Sequence, residues 1–598
     1  MSYVITNRSV SNTKYQKNAN NKDFKFKTTD GQSMYLNSRL FLDGFIAYNN
    51  SIIVENNLSD LANFWPLPDD YSGSYSFCLV SKEKLVIAND CIGLYPLYYY
   101  IENKSITVSN NLYELQKNIR VNIDIVGKYQ RLNAPEYSEI GNRTILKDVK
   151  RLLPGEKITY DLLEDDIYKE YDNRLYNNIK PNKSKKKDVR DYWNTFKKEV
   201  NLIENMGEKP VNIALSGGMD SRILIGAMSP DKNSKAFTYG SEDFYEVKIA
   251  KKLALKLGFK FRSSFRFKNQ FPEYRKLNTT IKKVGAPYVM SWYDIFDIAP
   301  QKRETILLGD MCEALPARNI KKFSSRSSRV NNFIKNFILN KDYQLTKTSK
   351  EKFEIWKNSI TDKYTSQMRK SRSEGLSFVI AQTKIDLEQV FSRIDAHQLP
   401  FSELYDELFS WYTHSRIPMG KQILHCNERF FAYAPAMSTS LLIATSNLHP
   451  NQRLNYRFMN KLFKQIPKLN KLNNIPVNQV PLLSRNSPDF LQFLVWGLRS
   501  KIDQILINRL MKHKNINMRY RLFKSLNWVL VYQNDNMIKT IDTYFLDNQL
   551  PESQVLSAKQ IALNRKKLKS WPLANNDIMS LAVLNIELTE LNEYANKP

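Results

Sequence analysis

The chain has 598 residues, enough for two or three cores, and its 42% hydrophobic and 12% aromatic content excludes a disordered protein. Apolar runs are too short to span a membrane, and the opening MSYVITNRSVSNTKYQK lacks a signal-peptide core, so a soluble cytoplasmic protein without a membrane partner is expected. A net charge of +29 invites a nucleic-acid partner, although solvated lysines on helix faces account for it as well.

Cys78, Cys91, Cys312 and Cys426 are widely scattered, as are the five histidines. Without a Cys-x-x-Cys pair or a Cys/His cluster, neither a structural zinc nor a disulfide framework is expected. Basic residues concentrate in NKSKKKDVR (182–190), which reads as a linker, and in RNIKKFSSRSSRV (318–330).

Residues 1–175 consist of short alternating or aromatic runs separated by turns. SYSFCLV and KLVIAND alternate with period two and predict an antiparallel hairpin. The Asn-, Lys- and Pro-containing stretch 173–188 predicts a linker. From residue 189 the pattern changes. DYWNTFKKEVNLIENM predicts a helix, VNIAL a buried strand, SRILIGAM a helix and KAFTYGS a second strand. DFYEVKIAKKLALKLGF then predicts an amphipathic helix, and ETILLGDMCEAL a strand that runs into a loop. Strands alternating with helices argue for an open parallel sheet with its ligand at the strand carboxyl ends. Beyond residue 330 the pattern is mostly helical, with 481–598 as a helical C-terminal extension of the 189–480 domain.

The stretch VNIALSGGMDSRILIGAM (211–228) carries the sharpest chemistry. A strand, a glycine turn and a helix aim backbone N–H groups at an anion. Gly217 and Gly218 let phosphate oxygens approach the backbone, and Ser216 and Ser221 add hydroxyl donors. Asp220 is acidic where a phosphate would sit, which makes sense with a cation between them and points to Mg²⁺. The Gly-x-x-x-x-Gly-Lys-Ser/Thr spacing of the kinase-type loop is absent.

The string Ser-Gly-Gly-x-Asp-Ser resembles the pyrophosphate loop of the ATP pyrophosphatases. A second region, GSYSFCLVSKEKLVIANDCIGLYPLYYY, resembles the glutaminase domain of asparagine synthetase, with Gly73, Tyr75, Phe77, Asn89, Asp90, Gly93, Pro96, Leu97, Tyr98 and Tyr99 at the motif positions and Leu153-Pro154-Gly155 at its later turn. Together they are similar to the asparagine synthetase-like superfamily over roughly residues 40–320, and faintly over 400–480. The resemblance implies an α+β, sandwich-like N-terminal domain of antiparallel sheets. An α/β open parallel-sheet ATP-pyrophosphatase domain with a helical C-terminal part follows it.

Glutaminase domains of this type use an N-terminal cysteine. This chain begins Met1-Ser2-Tyr3, and Asn89 replaces the arginine of the Arg-Asp turn, so residues 1–175 are expected to be structural. The same loss occurs in β-lactam synthetase and lasso-peptide macrolactam cyclases, which use an amine already in the substrate.

The resemblance implies ATP and Mg²⁺ as cofactors. It implies Leu215, Ser216, Gly217, Gly218, Asp220, Ser221, the main chain of Tyr239, and Gly309 as ATP-binding positions, with Asp220 and Glu313 as metal ligands. Asp310 stands where the family has a catalytic glutamate, Glu313 where it has an aspartate, and Met311 where it has a glycine. Arg457 and Lys461 are the expected cations for the pyrophosphate and the closing step. With Arg453 they recur every four residues, on one helical face. A solvated face explains that spacing too.

The function implied is AMP-forming amide synthesis from a carboxylate and an amine, without glutamine hydrolysis. The partner is a small molecule or peptide bearing both groups, with a precursor peptide or protease as a further partner. An amidotransferase of surface-polysaccharide synthesis, a tRNA-adenylating enzyme and a non-catalytic binding protein stay open. The lack of an RNA-binding module argues against nucleic acid.

Overall fold

The computed structural model describes residues 3–6, 24–28, 33–36, 39–48, 51–52, 71–81, 83–103, 105–133, 140–181, 189–206, 210–240, 242, 244–264, 274–284, 304–312, 342, 345–368, 376–453, 456–477, 480–488, 491–492, 494–495, 498 and 571–595. Two six-stranded antiparallel sheets occupy the N-terminal part. The strands are β1 (Tyr3–Thr6), β2 (Phe24–Thr28), β3 (Ser33–Leu36), β4 (Arg39–Tyr48), β5 (Ser51–Ile52), β6 (Tyr71–Val80), β7 (Lys84–Asn89), β8 (Tyr98–Glu102), β9 (Ser105–Ser109), β10 (Lys150–Arg151), β11 (Glu156–Asp161) and β12 (Asp166–Tyr171). One sheet runs β10-β8-β9-β1-β2-β3 and the other β12-β11-β7-β6-β4-β5.

The predicted hairpin is β6–β7, paired from Ser76↔Asn89 to Val80↔Leu85. Its alternation serves two cores rather than one. Cys78, Val80, Leu85 and Ile87 face Ile5, Tyr99, Ile106 and Val108 of the opposite sheet, while Tyr75, Phe77, Val86 and Ala88 pack on the other face. A half-polar strand pattern therefore gave way to one buried on both sides. Between the sheets' strands lie α1 (Leu112–Ile119) and α2 (Ile125–Asn133).

After α3 (Val189–Met206), a five-stranded parallel sheet runs in the order β15-β14-β13-β16-β17. It is built from β13 (Val211–Ala214), β14 (Lys235–Tyr239), β15 (Lys260–Ser264), β16 (Thr305–Leu307) and β17 (Phe431–Tyr433), with α4 (Met219–Ala227), α5 (Tyr245–Lys256) and α6 (Tyr274–Val284) between them. The strand Phe431–Tyr433 stands inside a stretch read as helical from sequence. Three residues are too short to carry a period, and pairing Leu307 with Tyr433 makes them a strand.

Beyond it the chain is mainly helical: α7 (Lys350–Met368), α8 (Leu376–Asp395), α9 (Tyr405–Ser410), α10 (Arg416–Asn427), α11 (Thr439–Ser446), α12 (Pro450–Arg453) and α13 (Arg457–Gln465). A short hairpin of β18 (Pro476–Val477) and β19 (Val480–Ser484) and the long α14 (Trp571–Ala595) lie further along the chain. Leu584, Ile586, Leu588 and Leu591 of α14 join one core with Tyr113, Leu115 and Ile119 of α1. No helix among the described residues is long and apolar enough to cross a membrane.

Candidate active site

In the parallel sheet β13 lies between β14 and β16, so the chain leaves β13 in one direction and returns on its other side. At such a switch point the loops after neighbouring strands diverge and leave a crevice at the carboxyl ends. The two loops there are 215–218, after β13, and 308–312, after β16.

The first loop is shaped by its own hydroxyls. The Ser216 backbone N–H donates to Ser221 Oγ at 3.0 Å, Ser221 Oγ donates to the Ser216 carbonyl at 3.0 Å, and the Gly218 N–H donates to Ser216 Oγ at 3.1 Å. Ser216 and Ser221 thus fold the turn as well as offering hydroxyls to a ligand. Leu215 is anchored by its N–H to the Phe237 carbonyl and by Thr238 Oγ1 donating to its own carbonyl at 2.7 Å. Gly218 caps α4 at φ −78° and ψ 178°, an extended conformation open to any residue. Its value as glycine lies in bare access to the helix N-terminus, where Asp220 sits in the first turn.

Gly309 locks the second loop onto the first. A Cβ at this position would stand 3.1 Å from the Ser221 nitrogen and 3.2 Å from the Asp220 carbonyl carbon. A Cβ here would force β16's loop and the backbone of α4 apart by a few tenths of an ångström. The loop is also held by the Leu308 N–H to the Tyr433 carbonyl at 2.9 Å and the Cys312 N–H to the Gly309 carbonyl at 3.2 Å.

Asp310 follows, half-buried, and desolvation raises its carboxyl to about 7. The Cys312 thiol is pushed up by burial, then by the charges of Asp220 and Asp310. Cys312 is a free, buried packing residue. Met311 has φ +65°. That left-handed conformation explains physically why a glycine suits this position, since a non-glycine residue there is strained by roughly 1–2 kcal/mol.

Tyr239 ends β14 half-buried, in register with Ser264. Gly240 follows at φ +141°, with no room for a Cβ beside Val247. Glu313 lies outside the described residues, as do Asp243 and the basic stretch 318–330. Among the described residues no group of three His, Cys, Asp or Glu could hold a metal. Mg²⁺ bound together with phosphates needs only one or two protein carboxylates, so Asp220 fits that chemistry.

The cations expected from the distal half are arranged differently from the sequence reading. Arg453, Arg457 and Lys461 do not share one helix face. α12 ends at Arg453, Tyr456 turns left-handed at φ +61°, and α13 begins at Arg457. Arg453 is buried in a forked pair with Glu407, at 2.5 and 2.7 Å. Arg457 donates to Asp342 at 2.9 Å, and Lys461 is exposed. Glu428 is paired with Lys283 at 2.9 Å and with His425; these partners hold its carboxyl low against the effect of burial.

One residue that sequence reasoning passed over is Arg222. It is fully buried in α4 and donates to the carbonyls of Gly217, Leu472, Ile475 and Pro476. The guanidinium ties the glycine loop to the segment before β18. Burial, with Arg485 nearby, lowers it to about 9. Nothing local in SRILIGAM marks this residue as a tie between distant segments.

In the N-terminal part, Asp90 accepts from the N–H groups of Tyr75, Ile92 and Gly93 and from Ser74 Oγ, and Asn89 Oδ1 accepts from the Glu156 N–H at 3.1 Å. Both side chains spend their hydrogen bonds on the fold. Cys78 is buried between the sheets, where desolvation pushes its thiol well up.

The family model described as asparagine synthase matches residues 202–309, which covers the strand, the glycine loop and β16 up to Gly309. No curated protein matches the chain. Among solved structures, the glutamine phosphoribosylpyrophosphate (PRPP) amidotransferase from B. subtilis complexed with ADP and GMP is 11% identical, over 40% of this chain and 63% of its own, with a TM-score of 0.14. A structure described as the allosteric regulatory enzyme of purine biosynthesis is 13% identical, over 40% of this chain and 61% of its own, with the same TM-score of 0.14. The chain thus spans less than two thirds of either, and likenesses this slight bear on neither fold nor function. Residues 202–309 thus form a region that is similar to the asparagine synthase family.

Proposed function

We propose that the chain is an AMP-forming amide synthetase, which adenylates a substrate carboxylate and passes the acyl group to an amine without hydrolysing glutamine. The observation that carries this reading is the contact of Gly309 with the backbone of Asp220 and Ser221, which joins the two carboxylate-bearing loops over one helix N-terminus. In the first step a carboxylate oxygen attacks the α-phosphorus of ATP, the bond to the bridging oxygen breaks, and pyrophosphate leaves with the electron pair. In the second the amine attacks the acyl carbon, AMP leaves, and the nitrogen loses a proton.

Both steps gather negative charge on phosphate oxygens, which the N-terminus of α4 would stabilise. Ser216 and Ser221 keep that loop folded. Mg²⁺, when bound, neutralises phosphate charge, and Asp220 would hold it. Glu313 stays the second ligand expected from sequence. Asp310 would take the amine's proton, a role that its pKa of about 7, raised by burial, supports near neutral pH. Arg457 and Lys461 keep their proposed role on the pyrophosphate.

The structural use of Asn89 and Asp90, and the burial of Cys78, support an N-terminal half that serves the fold. The substrate is then a small molecule or peptide carrying both carboxylate and amine, as in natural-product maturation. The test is product analysis with Mg²⁺, ATP and a panel of peptide and sugar acids. AMP and pyrophosphate should appear with an accepted acid and vanish in Asp220→Ala. Formation of ADP and phosphate instead would contradict the proposal.

A further inference from the structure

Away from the nucleotide loops, three arginines converge where the N-terminal sheets meet the distal helices. The Gly93 carbonyl receives Arg151 Nη2 at 3.4 Å and Arg416 Nη1 at 3.3 Å, so two guanidinium groups reach one oxygen. The third, Arg393, donates to the Pro154 carbonyl. The two carbonyls belong to touching turns, because the Pro154 Cα lies 3.0 Å from where a Gly93 Cβ would be. Arg151 comes from β10, Arg393 from α8 and Arg416 from α10, so three separate elements deliver the charges to one place.

The neutralisation is incomplete. Arg393 and Arg416 are buried and Arg151 half-buried, yet among the described residues none of the three has an ion pair. Arg416 spends its remaining bond on the Tyr412 carbonyl at 2.9 Å. The Nε atoms of Arg151 and Arg393 are sealed from water without a hydrogen-bond partner. Burial lowers the Arg416 guanidinium well below its ordinary range, and Arg151 and Arg393 add to the shift.

The carboxylate that feels Arg393 is Glu156, which is already engaged by the Leu153 N–H at 2.7 Å and shares its field with Lys169. Carbonyl dipoles and aromatic faces make up the rest: Arg393 stacks on Tyr171 at 4.0 Å and lies 5.4 Å from the Tyr176 ring. Buried charges of one sign call for a counter-charge.

We propose that this junction binds an oxyanion of the phosphate class, either inorganic phosphate or the phosphate group of a metabolite. Guanidinium groups arriving from separate elements suit a tetrahedral, doubly charged acceptor better than a single flat carboxylate. Arg151, half-buried, and Tyr171, 38% exposed, form the rim through which it enters. The bound anion would join Arg151 of the sheets to Arg393 and Arg416 of the helices, and so stabilise their contact. This proposal does not depend on the adenylation chemistry.

Thermal unfolding of the full chain is followed with millimolar inorganic phosphate, and with glycerol 3-phosphate, each against chloride at matched ionic strength. A saturable rise in Tm is expected, needing roughly tenfold more anion in Arg151→Gln and lost in Arg393→Met. The rise should persist in Ser216→Ala, which separates this site from the glycine loop. A lower half-saturation for glycerol 3-phosphate than for phosphate identifies the ligand as a metabolite ester, and the reverse identifies the free ion. Phosphate no more effective than chloride would overturn the proposal, as would a rise retained in both arginine variants. Arg151→Gln keeps the test valid if Arg393→Met fails to fold.

Discussion

Three backbone atoms of α4 occupy the space where a side chain of Gly309 would begin. They cannot swing aside as a lysine tip would, so Gly309→Ala must push the two loops apart by a few tenths of an ångström. Because misplacement at a reacting centre is costly, kcat is expected to fall by roughly 10–100-fold, with Tm changed little. Steady-state kinetics beside thermal unfolding checks this. Asp310 gives a prediction of the opposite kind. Burial favours its neutral form and raises it to about 7, so its contribution to stability is full below about pH 4 and is lost as pH rises through 7. In EDTA, Asp310→Asn should match the wild type at pH 4 and exceed it in stability at pH 8, by up to roughly 4 kcal/mol; in Mg²⁺ it should be inactive. Equal pH dependence of the two proteins in urea unfolding would contradict the burial account. At this scale the sequence showed the identities of Asp220, Gly309 and Asp310 but not the left-handed turn at Met311, since methionine gives no signal for positive φ.

Between elements, the β13–loop–α4 unit was legible because each part announces itself: a β-branched apolar run, two glycines, then apolar residues at helical spacing. The order of the parallel strands was not. β16 lies beside β13 although some ninety residues separate them, and no local pattern encodes that pairing. The false continuity of Arg453, Arg457 and Lys461 has a similar cause. Spacing of four holds across the break at Tyr456, and only tertiary pairing with Glu407 removes Arg453 from the set. Arg222 is the tie between elements whose loss should be felt most. Arg222→Met keeps bulk but leaves four carbonyls without their donor, which should cost roughly 2–4 kcal/mol. Its second effect should be weaker ATP binding, because the Gly217 carbonyl is no longer fixed to the segment before β18. Calorimetric titration with ATP, at a temperature where the variant is folded, separates the two. Unchanged affinity would make Arg222 a purely structural residue.

Across the whole molecule, the N-terminal sheets, the parallel sheet and the distal helices share packing. Phe45, Cys91, Ile92 and Leu94 belong to the same core as Ile213, Leu307 and Met437. Arg143 bridges Asp124 at 2.7 Å and Asp386 on α8, and Arg131 pairs with Glu587 of α14, both sides buried. Removal of residues 571–598 should therefore expose Tyr113, Leu115 and Ile119 and leave Arg131 without its partner, lowering the urea midpoint of the whole chain rather than trimming an appendage. The excess of positive charge was the plainest feature of the sequence and is the least explained by the fold: residues 182–188 and 318–330 lie outside the described residues. What the described part does supply is the crevice position of a sheet switch point, bordered by the loops that lead to Asp220 and Asp310 and by a helix N-terminus. The central claim is that this crevice activates a carboxylate by adenylation. The most direct measurement is acid-dependent exchange of labelled pyrophosphate into ATP, without the amine where the two groups can be supplied separately. The account predicts exchange that requires Mg²⁺, depends on the acid and disappears in Asp220→Ala. ATP that binds but never exchanges with any acid, in wild type as in Asp220→Ala, would contradict it.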